Sequence, residues 1–172
     1  MPARRRPRSF EAVFTRDGIR ALHAWTHERL DLVLEHVTAL SAAEFTRELP
    51  GFGYPSVRDQ LMHVLGAEER WVQRLQSLPV RSWSATDYPT VAALRAAKAR
   101  VMRATGEYLD RLPDAALDVP LPHRPEGWIG ELRSPAFILH HAITHAYHHK
   151  GQVVAMCRLL GHPAPDTDLQ RG

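Results

Sequence analysis

The stretch SPAFILHHAITHAYHHKGQVVAMCRLLG, residues 134–161, opens on a Ser-Pro pair and closes on a glycine with Pro163 just beyond. Serine at the N-cap and proline at the first helical position start a helix economically, because proline lacks the N–H that would go unpaired there. Glycine accepts the left-handed backbone that ends one, and proline cannot continue it. The spacing therefore predicts one long helix from Ser134 to Leu160. Such an element buries its apolar side only against partners of similar length.

Three more such stretches precede it. Residues 16–40 carry Ile19, Leu22, Leu30, Val33, Leu34, Val37 and Leu40 largely at the spacing of one helix face. Ser41 then opens a polar link through Pro50, Gly51 and Gly53. A second helix begins at Ser56, where Ser56-Val57-Arg58-Asp59 has the form of a capping signal, and continues to about Gln76. Pro79 and Pro89 break the loop that follows. Thr90 caps a third helix, which ends before Pro113. Between 114 and 133, Pro120, Pro122, Pro125, Gly127 and Gly130 exclude a helix; 119–121 and 128–132 read as short extended strands. The expected fold is all-α: a four-helix bundle with an irregular crossover before the fourth helix. It forms one domain over 16–172, preceded by a basic arm, 1–15, read as flexible and solvated.

Composition closes off several classes. No apolar run approaches the roughly 18 residues that span a bilayer, so no membrane partner is expected. A single cysteine, Cys157, excludes an intrachain disulfide framework and a Cys-based zinc finger. No apolar segment follows the charged start, so no secretory signal is read there and a cytoplasmic location is expected. Lys and Arg number 22 against 19 Asp and Glu, a net +3. Arg4, Arg5, Arg6 and Arg8 alone supply four of those charges, and the body carries no basic stripe. Nucleic-acid binding is accordingly not expected.

Histidine is the unusual residue: 11 of 172, five of them between 140 and 149. With His145 set at zero and about 100° per residue, His149 falls near +40°, His141 near −40°, His148 near −60° and Gln152 near −20°. His140 points away. Histidines four apart project from adjacent turns of one face and can chelate one ion. A catalytic site needs a third protein ligand and an open position, and another helix of the bundle is its natural source. His63, in DQLMHVLGAEERW, is the candidate, giving a three-nitrogen set of His63, His145 and His149. Gly66 and Ala67 beside His63 read as room for a substrate. A second pair four apart, His23 and His27, is expected at the surface or core edge. At least one of Glu68 and Glu69 is expected on a solvated face. Trp25, Trp71, Trp83, Trp128 and Tyr147 read as packing residues, and Cys157 points away from the histidine face.

Two segments resemble the DinB-like metalloenzyme family, a bundle superfamily that includes bacillithiol- and mycothiol-dependent S-transferases. SVRDQLMHVLGAEERWVQRL is similar to its second helix, with a ligand at the position of His63. HHAITHAYHHKGQV is similar to its fourth-helix pattern, with ligands at His145 and His149. His141, Thr144, Lys150, Gly151 and Gln152 also fall on that pattern, Lys150 where arginine is usual. The resemblance implies a three-histidine Zn2+ or Ni2+ site and a homodimer. It leaves the reaction open between thiol-dependent S-transfer, with a small-molecule substrate and a low-molecular-weight thiol, and hydrolysis by an activated water. A non-enzymatic metal-binding, stress-response bundle is a further alternative. His141 and His148 are the candidates for a general base or for support of the ligands.

Overall fold

The computed structural model describes residues 14–122 and 133–169. The four expected long helices are present: α1 (Arg16–His36), α3 (Val57–Leu75), α4 (Val91–Arg111) and α5 (Pro135–Leu159), with a short helix, α2 (Ala42–Thr46), between the first two. The caps explain the boundaries. Thr15, Ser56, Thr90 and Ser134 each accept a backbone N–H of the first turn through the side chain. At the end of α5, Gly161 sits at φ +87°. Its N–H donates to the Arg158 carbonyl at 3.1 Å, and the His162 N–H donates to the Cys157 carbonyl at 2.8 Å, the paired closure that needs a left-handed residue at this point. Gly161→Ala is expected to cost about 1 kcal/mol, read as a fall in Tm of about 2–4 °C.

Two boundaries differ from the sequence reading. The first helix tightens into a 3-10 turn over Val37–Ala39 rather than continuing to Leu40. The polar link then contains α2, held by a reciprocal cap: the Glu44 N–H donates to Ser41 Oγ and the Ser41 N–H to the Glu44 carboxylate. Among the described residues there is no strand. The Leu121 N–H donates to the Arg133 carbonyl at 3.2 Å, but 119–121 forms no ladder. The segment 128–132 with Trp128, and the arm up to residue 13, lie outside the described residues.

Apolar side chains form two layers. The upper one gathers Val33, Leu34, Val37, Val57, Leu61, Leu65, Leu94, Val101, Val153 and Met156, and the lower one Ile19, Val72, Leu109, Leu117, Leu139 and Ile143. Each fully buried aliphatic side chain in them is worth about 1.5–3 kcal/mol. The layer membership fixes the directions. α1 and α5 run from the lower layer to the upper, α3 and α4 from the upper to the lower. α3 packs against α5 and α4, and α1 against α5 and α4. Because α3 and α4 are parallel, residues 76–90 must return along the bundle. They do so against α3: the Arg81 N–H donates to Gln73 Oε1, and Trp83 Nε1–H to Glu69 Oε2.

Candidate metal centre

α3 and α5 are the most extensively packed pair in the bundle, and the histidine face of α5 is turned toward α3. His63 of α3 meets His145 and His149 of α5, with ring centroids 4.4–4.9 Å apart. One nitrogen from each ring lies within 4.8 Å of the other two. His63 Nε2 and His145 Nε2 are 3.0 Å apart. Two imidazole nitrogens that close either share a proton or face a common cation.

The electrostatics favour the unprotonated form of all three. Burial, helped by positive charge at His149 and Arg70, pushes His63 down to about 4. Burial, with its histidine neighbours, pushes His145 down to about 3. Burial, then His148, lowers His149. At neutral pH each ring is therefore neutral and offers a lone pair, the state that binds a metal. Three nitrogen donors on two helices suit a divalent transition ion.

The sequence reading missed the residues that hold these rings in place. Gln60, one turn before His63 and wholly buried, accepts the His149 Nδ1–H through Oε1 at 2.6 Å. That bond assigns the proton to Nδ1 and leaves Nε2 bare. The amide end of Gln60 donates to Gln152 Oε1 at 2.6 Å and to the Tyr54 carbonyl at 2.9 Å. Tyr54 stacks on His63 at 3.7 Å. The available signal was an uncharged amide on the apolar stripe of α3. Gln60→Ala is expected to weaken zinc binding by about 10–100-fold, measured by chelator competition.

The remaining histidines flank this cluster. His141 is exposed, 5.8 Å from the His145 ring and edge-on to Trp71. His148 is exposed beside His149 and accepts a hydrogen bond at Nε2 from Gln152 at 2.8 Å, so that nitrogen is engaged. His140 lies on the other side against Phe14, and Cys157 is buried in the upper layer, its thiol pushed up to about 11 by burial.

Three expectations are corrected. Gly66 does not open space over the centre: a Cβ there would meet the Trp83 ring at 3.1 Å, because the returning 76–90 segment lays its indole on that glycine. His23 and His27 are not at the surface or core edge but buried, at 7% and 0% exposure. Neither Glu68 nor Glu69 is solvated. Glu69 receives Trp83 Nε1–H and Arg100, and Glu68 faces His23 and His27.

The sequence profile of the DinB family matches residues 16–172. The chain belongs to the DinB family. This DinB-family chain is similar in fold to two solved structures. One is a DinB-like protein from Bacillus cereus, at TM-score 0.64 and 20% identity, covering 88% of this chain and 97% of that one. The other is a DinB family member from Shewanella denitrificans, at TM-score 0.57 and 18% identity, covering 92% and 90%. No curated protein matches the chain.

Proposed function

We propose that this DinB-family chain is a divalent-metal-dependent enzyme that holds Zn2+ or Ni2+ through His63, His145 and His149, and that it transfers a low-molecular-weight thiol to an electrophilic small molecule. The observation that carries the reading is the convergence of three neutral imidazole nitrogens where two of the rings, His63 and His145, are only half-buried. A purely structural centre has no need of that exposed side. A divalent ion held by uncharged ligands keeps its full charge and lowers the pKa of a thiol or water that reaches it.

The protein's own groups do the rest. Gln60 keeps the His149 proton on Nδ1. Tyr54 covers one face of His63 and keeps that ring from turning. His141, exposed at the rim, is the candidate to accept the thiol proton. In the transfer the S–H bond breaks, its proton passes to the base, the S–C bond forms, and the leaving group departs with the C–X electron pair.

Hydrolysis is the second reading: the half-exposed side of His63 and His145 that would admit a thiol admits water as well. The test is conjugation of glutathione, bacillithiol and mycothiol to a chloronitrobenzene and an epoxide, with and without chelator. Metal-dependent conjugation lost in His149→Ala supports S-transfer. Metal-dependent ester or amide cleavage without conjugation replaces it with hydrolysis. Silence in both, with a fourth protein ligand on the ion, removes the enzyme reading.

A further inference from the structure

We propose that His23, His27 and Glu68 form a second divalent-cation site, enclosed in the bundle and separate from the three-histidine centre. His23 and His27 lie one turn apart on α1, and Glu68 comes across the core from α3. The three are 7%, 0% and 4% exposed. One nitrogen from each ring and one carboxylate oxygen all lie within 4.8 Å of one another.

The contacts at Glu68 are unequal. Oε1 has three partners: His23 Nε2 at 2.7 Å, Thr105 Oγ1 at 2.7 Å and His27 Nε2 at 3.3 Å. Oε2 has one, His27 Nε2 at 3.0 Å. The one His27 Nε2–H spans both oxygens, so a single carboxylate takes three donors, one from each ring and one from the Thr105 hydroxyl. His27 Nδ1 is buried with no partner. Hydrogen bonding within the cluster therefore leaves one buried ring nitrogen, His27 Nδ1, unsatisfied. A cation among the three groups would replace the two ring protons that face Glu68. Both Nε2 atoms then give lone pairs instead of protons, Glu68 balances half of the added charge, and the Thr105 hydroxyl orients the carboxylate from α4. Buried charges persist when they are paired or coordinate a metal, and helix bundles build such sites from facing helices. Two imidazoles with one carboxylate suit Zn2+, Fe2+ or Mn2+.

Glu68 is five residues beyond His63, about 140° round the helix and about 7.5 Å along it. The two sites therefore open on different sides of α3 and hold separate ions. Enclosure keeps substrate from the inner one, whose effect is to tie α1 to α3.

The test uses the full chain without a tag. Wild type saturated with zinc should carry two ions per chain by elemental analysis. His63→Ala/His145→Ala should retain one, with a Tm that zinc raises by several degrees, and Co2+ in that variant should show d–d absorption. Adding His27→Gln should weaken the retained zinc by at least about 100-fold, since a lost ligand exceeds the loss of an outer hydrogen bond. One ion per chain in saturated wild type that His27→Gln leaves in place overturns the proposal, whether or not the double variant folds. So does a folded His63→Ala/His145→Ala protein with no bound zinc and an unmoved Tm; the cluster is then a hydrogen-bonded histidine–carboxylate group.

Discussion

Replacing Glu68 with alanine is expected to lower the unfolding free energy of the metal-free protein by about 3–5 kcal/mol, the range for removing one partner of a buried ionic group. The carboxylate accepts from His23, His27 and Thr105, which come from two other helices. Alanine would leave two buried rings and a buried hydroxyl without the carboxylate that accepts their protons. The histidines hold the Glu68 carboxyl well below its usual range, against the opposing effect of burial. Its contribution is therefore present at neutral pH and is lost as pH falls below the ordinary carboxylate range. Glu68→Gln keeps one acceptor and should lose less. Urea unfolding at pH 7 measures both. A loss under about 1 kcal/mol for the alanine variant, no more than one ordinary hydrogen bond, would mean that the rings find other partners.

His145→Ala should weaken zinc binding at the three-histidine centre by more than the about 10–100-fold attached to an outer hydrogen-bond partner. It removes one of the three nitrogens proposed to hold the ion and leaves His63 Nε2 without its neighbour at 3.0 Å. The same residue sets a pH dependence in the metal-free protein. His63 and His145 are pushed down to about 4 and about 3, whereas an unfolded histidine titrates near 6.5. Between those values the unfolded chain binds more protons, so stability falls as pH falls from about 6.5 toward 3–4. His145→Gln should flatten that slope, seen by comparing urea midpoints at pH 7 and pH 5. An unchanged slope would show that His145 titrates as it does in the unfolded chain.

The helix ends were legible because side-chain caps are local: Ser56, Thr90 and Ser134 each act within their own first turn. α2 escaped because five residues carry no apolar period, although Ser41 and Glu44 had the spacing of a reciprocal cap. His63, His145 and His149 were legible as one face of α5 plus the lone histidine of α3, helped by the family resemblance. The inner cluster was misread, yet the pattern held a clue. Ile19, His23, His27, Leu30 and Leu34 form one stripe of α1, with buried apolar residues at both ends of the histidine pair. Glu68 likewise sits between Leu61, Val64 and Val72. A polar residue inside an apolar stripe is buried with a partner, but the partner lies on another helix, which periodicity along one helix does not reveal. Gly66 was misread for a related reason: which loop returns over which helix is a tertiary fact, and here it brings Trp83.

The order of the helices around the bundle bears on how the chain reaches this state. α1 packs on α5 and α4, and α3 on α5 and α4. Only α3 and α4 are successive long helices that lie face to face, and they run parallel, so no antiparallel helical hairpin is available as an early, locally closed unit. Most interhelical contact instead joins segments far apart in the chain, α3 to α5 foremost and then the first helix to the last. Folding speed falls as contacts become less local, so this bundle should fold more slowly than an up-and-down bundle of equal length. During synthesis α1 and α3 have only α4 to cover part of their apolar stripes until α5 emerges. The last long helix thus closes the core and carries two of the three clustered histidines, so that centre cannot form before the bundle is complete.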